Sequence, residues 1–212
     1  IRDSSPNDIR SIRDQVLALE GSPSHTVVRV PIGETWIIKQ MLDLGIQTIL
    51  VPIVETAEQA QELVRACRYP PHGTRGVGYG VSRSGGFGQF ENYGPTADDQ
   101  ICLLVQVETK QGLDNLDEIL AVEGVDGVFI GPADLSASLG YLGQTMHPDM
   151  QETILSALKR ISDSGKAAGI LTTNEGMIQA SLDAGARFVA VAMDIALLIE
   201  NAKVEANKWI KR

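Results

Sequence analysis

Two acidic residues in this sequence stand just beyond apolar, β-branched runs: Glu108 after Ile101–Val107, and Asp134 after Gly127–Ile130. If those runs are neighbouring strands of a parallel sheet, their spacing of about 4.8 Å brings the two carboxylates to one place. A pair of hard oxygen donors with open coordination positions suits Mg²⁺ or Mn²⁺, which keep water or substrate oxygens in their remaining sites. Each residue equally fits a helix N-cap, and the pattern alone leaves both readings open. Gly131-Pro132-Ala133-Asp134-Leu135-Ser136 ends a run and opens a short turn or helix. Its backbone N–H groups would face an anion such as a substrate carboxylate. Arg29 closes Thr26–Val30, where its guanidinium could bind a carboxylate or a developing enolate oxygen, or serve a structural ion pair.

Other residue types narrow the chemistry. An imine-forming enzyme needs a lysine near the inner end of a strand. Lys166 opens its strand instead, Lys39, Lys159 and Lys203 fall on helical patterns, and Lys110 is a near miss beyond Glu108. Metal catalysis is therefore favoured over imine catalysis. His25, His72 and His147 lack the spacing of a zinc pair and read as structural or solvated. Gly73-Thr74-Arg75-Gly76-Val77-Gly78 has neither the preceding strand nor the following Lys-Ser/Thr of a phosphate loop.

These residues need a frame. Apolar runs at Thr26–Val30, Thr48–Ile53, Ile101–Val107, Gly127–Ile130, Ala168–Leu171 and Phe188–Ala192 alternate with helical patterns. The helical patterns fall near 34–44, 56–67, 112–121, 149–164, 174–184 and 195–210, with an earlier one starting at Ile9. Gly45, Gly165 and Gly185 read as helix stops and Asn174 as an N-cap. The alternation predicts a parallel sheet covered by helices, its strands apolar because both faces are buried. The glycine-rich stretch from Tyr69 to Gln100 is a long excursion between two units. A closed (β/α)8 barrel takes about 250 residues, so the chain is expected to be such a TIM barrel without its first two strands, with residues preceding Ile1. An open doubly wound sheet is the alternative. In either, the site lies at the carboxyl ends of the strands, where Arg29, Glu55, Gln106, Glu108, Asp134, Thr172, Thr173 and Asp194 are the first polar residues.

The 212 residues carry a formal charge of −9 and are 43% apolar and 21% charged. That composition predicts one globular domain over 1–212. An acidic chain with no basic cluster argues against nucleic acid and anionic membrane as partners. No apolar run approaches the roughly 20 residues of a membrane span. Cys67 and Cys102 make no disulfide framework or Cys-x-x-Cys pair, and no signal peptide is evident, so a cytoplasmic location and small-molecule partners are expected.

The run Leu104-Val105-Gln106-Val107-Glu108-Thr109 and the run Gly124–Ser136 resemble the HpcH/HpaI family of class II pyruvate-dependent aldolases. So do Arg68-Tyr69-Pro70-Pro71-x-Gly73-x-Arg75-Gly76-Val77-Gly78 and Phe188-Val189-Ala190-Val191, and the similarity runs the length of the chain. The resemblance implies a (β/α)8 barrel and a carbon–carbon lyase cleaving 4-hydroxy-2-oxo acids reversibly to pyruvate and an aldehyde. It implies Mg²⁺, Mn²⁺ or Co²⁺ held by Glu108 and Asp134, with Arg29 and Gln106 on the oxo acid. The backbone of Gly131, Ala133 and Asp134 would hold the substrate carboxylate, and Leu171 would shape the acceptor side. A homo-oligomer, hexamer or trimer, is implied too, with the helix at 195–210 exchanged between subunits.

One departure stands out. The family's histidine, paired with an aspartate matching Asp43, assists proton transfer, yet Arg2-Asp3-Ser4-Ser5-Pro6-Asn7 places Ser4 at its position. Serine is no base near neutral pH without an activator. Either a metal-bound water moves the proton, or the start of this sequence does not represent the native strand end, which the two missing strands favour. Two further readings stay open: a related lyase acting on an acyl-CoA ester, with Arg75 and Arg83 as the basic residues it would need, and a catalytically silent barrel serving binding or assembly.

Overall fold

The computed structural model describes residues 7–210. Helix α1 (Ile9–Leu19) leads into β1 (Val27–Arg29), α2 (Thr35–Asp43), β2 (Thr48–Val51) and α3 (Ala57–Cys67). The excursion holds two 3₁₀ segments and a four-residue helix, α4 (Tyr93–Thr96). Then follow β3 (Cys102–Val107), α5 (Lys110–Asp114), α6 (Leu116–Leu120), β4 (Gly127–Ile130) and α7 (Pro132–Ser138). The chain closes with α8 (Pro148–Asp163), β5 (Ala167–Leu171), α9 (Glu175–Asp183), β6 (Ala186–Ala190) and α10 (Asp194–Trp209).

The architecture corrects the expectation of an eight-stranded barrel. Among the described residues, six parallel strands form one sheet in the order β1-β2-β3-β4-β5-β6, curled into a half-barrel with β1 and β6 at its edges. The two edges do not pair, so backbone groups along them lie outside the ladder and the sheet does not close on itself. The strictly sequential order also lacks the reversal that gives a doubly wound sheet its switch point. Both expected architectures therefore give way to an open, curled α/β sheet.

Period-two alternation divides each strand between two faces. Ile49, Leu103, Val105, Val128 and Ile170 belong to the main core beneath the helices. Leu50, Leu104 and Phe129 form a second, smaller cluster with Leu171 and Phe188. The strands are apolar on both sides, as the sequence indicates, but helices cover one side while the concave side packs chiefly on itself. Register carries this across the sheet: Arg29 is level with Leu50, Leu50 with Leu104, and Gln106 with Phe129. Arg29 and Gln106 thus share the concave face with the small cluster.

Local signals hold at most element ends. Asn174 caps α9 by accepting from Met177 N–H at 3.0 Å, and Thr56 and Gln59 form a capping box on α3. Gly165 takes φ +86°, the left-handed turn after α8 that residues with a Cβ resist. The helix expected near 112–121 is instead two short helices, α5 and α6, which meet at Asn115, whose side-chain amide donates to Glu55 O at 2.8 Å. No helix among the described residues is long and apolar enough to cross a membrane.

Both cysteines are free thiols. Burial pushes Cys67 up to about 12, with Arg75 and Arg68 only partly offsetting it. At pH 8 roughly one Cys67 thiol in ten thousand is then ionised, and the thiolate is the reactive form. Cys67 in the folded protein should resist iodoacetamide at pH 8 and be alkylated only in denaturant, as read by peptide mass mapping. Rapid labelling of the native protein would contradict its placement in the core.

Candidate active site at the carboxyl ends of the strands

Glu108 follows β3 directly and is only 2% exposed. Burying a carboxylate is costly unless donors surround it. Two are in place: Gln106 donates its side-chain amide to Oε2 at 2.5 Å, and Ile53 donates its backbone N–H to Oε1 at 3.1 Å. Arg29 Nε in turn reaches Gln106 Oε1 at 3.5 Å, so a polar chain runs from β1 across the sheet to the end of β3.

Gly131 presses against the same carboxylate. A Cβ there would lie 2.5 Å from Glu108 Oε2 and 2.7 Å from Gln106 Nε2. Its N–H is already donated to Val107 O at 3.1 Å, so the residue contributes space rather than a donor for an anion. The next positions differ. Pro132 has no N–H, while Ala133 and Asp134 stand in the first turn of α7, where helix geometry leaves N–H groups without an intrahelical acceptor. Asp134 is exposed.

Arg29, Gln106, Ala133, Asp134, Leu171 and Thr172 line one cavity of about 750 Å³ at this end of the sheet. Phe129 and Phe188, edge to face at 5.3 Å, form part of its apolar wall. Thr173, expected from the sequence, lines it too. Other strand-end residues turn elsewhere. Glu55 Oε1 accepts from the Thr109 hydroxyl at 2.7 Å, and Asp194 Oδ1 accepts from the N–H of Ile195. Asp43, the last residue of α2, pairs with Lys39 and with Arg75 at 3.4 Å and does not border the cavity. Ser4 lies outside the described residues.

Lys166 donates to Val122 O and Val125 O at the opposite end of the sheet, and burial lowers its proton affinity. Lys110 pairs with Asp114 on the surface. Neither reaches the cavity, and no lysine or histidine lines it among the described residues. His25 meets the Thr48 hydroxyl at 2.7 Å, and His147 caps α8 by accepting from Asp149 N–H.

No group of three His, Cys, Asp or Glu side chains that could hold a metal occurs among the described residues. The donor set is smaller, two carboxylates at the ends of adjacent strands, and it is all oxygen. That chemistry fits a hard divalent cation whose other positions belong to substrate or water.

Ile53 is the site residue that sequence reasoning missed. It takes φ +54°, a backbone state in which a β-branched residue is a genuine outlier. Propensity therefore points away from it, and Pro52 at the end of the run was the one local hint of a break.

Residues 2–201 match the family model described as HpcH/HpaI aldolase/citrate lyase. A hydroxypyruvate/pyruvate aldolase of Roseobacter denitrificans is 80% identical over 205 residues, 97% of this chain and 80% of the relative. A 2-keto-3-deoxy-L-rhamnonate aldolase of Escherichia coli is 52% identical over 193 residues, 91% of this chain and 72% of the relative. The crystal structure of a HpcH/HpaI aldolase/citrate lyase family protein from Burkholderia cenocepacia superimposes with TM-score 0.92 at 37% identity, covering 98% of this chain and 83% of that one.

The crowding at Gly131 has a measurable consequence. Gly131→Ala should cost about 1–3 kcal/mol in denaturant unfolding, the usual range for overpacking, and break the Gln106–Glu108 hydrogen bond in the variant's crystal structure. Unchanged stability with Glu108 unmoved would contradict the close approach.

Proposed function

Because this chain belongs to the HpcH/HpaI aldolase/citrate lyase family, we propose that it is a carbon–carbon lyase cleaving 4-hydroxy-2-oxo acids reversibly to pyruvate and an aldehyde. The observation that carries this reading is the buried Glu108 at the end of β3, hydrogen-bonded to Gln106, which with Arg29 and Asp134 lines the cavity. The 80% identical relative's name supports hydroxypyruvate as a second oxo acid.

Glu108 and Asp134 would hold Mg²⁺, Mn²⁺ or Co²⁺, which supplies Lewis acidity toward the carboxylate and 2-oxo oxygens of the substrate. The N–H groups of Ala133 and Asp134 hold the substrate carboxylate. As the C3–C4 bond breaks, negative charge moves onto the 2-oxo oxygen, and Arg29 stabilises it from the facing strand. Gln106 orients both partners, accepting from Arg29 and donating to Glu108. Leu171, with Phe129 and Phe188, forms the apolar side on which the aldehyde fragment leaves. The base for the 4-hydroxyl proton is not a described cavity residue. Asp43 acts at most by orienting a base supplied from outside this cavity.

The acyl-CoA alternative loses its anchors. Arg75 is fully buried, with its guanidinium 4.4 Å over the Tyr69 ring, and Arg83 pairs with Glu20 beside a different cavity, at the amino ends of the strands. Neither presents charge at the site. The silent-barrel alternative rests on Ser4 and has no support in the cavity.

Helix α10 bears on assembly. None of its residues is buried, and Ile195, Leu198 and Val204 are more than half exposed. An apolar helix of this kind is expected to pack on a neighbouring subunit, in a trimer or hexamer.

Pyruvate incubated with the protein in deuterated buffer should lose its methyl proton signal when Mn²⁺ is present and keep it when a chelator is added. Glu108→Gln and Asp134→Asn should each weaken Mn²⁺ binding and slow this exchange by at least tenfold. Full exchange in either variant would show the site to be misplaced, and exchange indifferent to chelator would remove the cation from the mechanism.

A further inference from the structure

Ile53 combines three features that its residue type does not explain. Its backbone is left-handed at φ +54°, the residue is 53% exposed, and its N–H is spent on a side chain rather than on the sheet. Burial of the side chain therefore does not account for the strained backbone. The neighbouring residues show what the strain achieves. Along a parallel strand, successive residues direct their N–H groups to opposite neighbours. Val54 donates to Gln106 O of β3 at 3.0 Å, so in a regular strand the Ile53 N–H would face away from β3. The left-handed turn after Pro52 brings it back, where it meets Glu108 Oε1 at 3.1 Å. Two consecutive N–H groups thus serve the end of β3, one its backbone and the other its carboxylate.

We propose that Ile53 is a positioning residue: its left-handed backbone aims an N–H at Glu108 Oε1 and so presets that carboxylate to receive a divalent cation. The inference rests on the reading of Glu108 as a metal ligand. With Gln106 donating to Oε2 and the Gly131 backbone packed closely against that oxygen, the Ile53 N–H fixes the carboxylate from the other one. The rotation of Glu108 is then settled before the cation arrives, and less ordering accompanies binding. The requirement falls on the backbone and not on the isoleucine side chain.

The test separates N–H from side chain. Replacing the residue-53 amide by an ester, with the side chain kept, removes only the donor. It should weaken Mn²⁺ binding by about 10- to 100-fold, measured by titration followed by electron paramagnetic resonance. Ile53→Gly keeps the N–H and suits the backbone, so its Mn²⁺ affinity should match the wild type and its thermal midpoint should not fall. In a Glu108→Ala background, where the acceptor is gone, the ester should have no further effect on residual Mn²⁺ affinity, whereas a general structural defect would lower it in both backgrounds. An ester protein with wild-type affinity, or one equally impaired in both backgrounds, would overturn the role of Ile53 alone. Absence of Mn²⁺ binding by the wild type would overturn the metal reading and this inference with it. Hydrogen exchange offers a check independent of the ester: the Ile53 amide should be protected in the wild-type protein and lose protection in Glu108→Ala. Equal protection in both would refute the contact.

Discussion

A carboxylate out of water must be satisfied from within the protein, and Glu108 is where this structure meets that demand. Isolated burial of such a charge costs several kcal/mol even after relaxation, whereas a hydrogen bond to a charged group returns about 1.5–3 kcal/mol. Glu108 receives one from Gln106 and one from Ile53. Each comes from a different strand position, so the carboxylate is well placed only while β2 and β3 keep their register. Gly131, at the end of β4, is tied to the same point by the space it must leave. Three consecutive strands thus converge on one side chain, and the chemistry proposed for the site depends on that convergence.

The sheet makes the convergence attainable. Its sequential parallel order sends every strand toward the same end, and its curl turns Arg29, Gln106 and Phe129 toward a common hollow. Helices cover the convex side with a continuous apolar core, leaving the concave side free for a smaller cluster and for polar residues. The division follows from the two-residue period of the strand. Leu104 and Gln106 share one face, while Leu103, Val105 and Val107 belong to the other.

Much of this was legible in the sequence, and the reasons are specific. The apolar β-branched runs marked the strands because a doubly buried strand has little use for polar residues, and Gly165 and Asn174 marked helix ends through turn and cap chemistry. Glu108 stood out because a charge directly after such a run needs a purpose. Strand closure was not legible. Runs and spacings report which segments are strands, whereas pairing between the outermost two depends on contacts far apart in the chain, and here β1 and β6 remain edges. The role of Gly131 was misjudged for a related reason. The motif from Gly131 to Ser136 suggests backbone donors for an anion, but the Gly131 N–H belongs to Val107 and there only the missing side chain matters. Ile53 was invisible because its conformation runs against its own propensity. Local rules are most often broken at functional sites, where the surrounding structure over-determines the backbone.

The central claim is that Glu108, held from two sides, forms half of a cation site completed by Asp134. Anomalous diffraction from crystals soaked in Mn²⁺ and pyruvate tests it most directly. The account predicts one manganese peak within coordination distance of both carboxylates, with the pyruvate carboxylate and 2-oxo oxygens on the same ion and the Ile53 N–H still on Glu108. A peak elsewhere, or ordered pyruvate in the cavity with no ion beside Glu108, would contradict it.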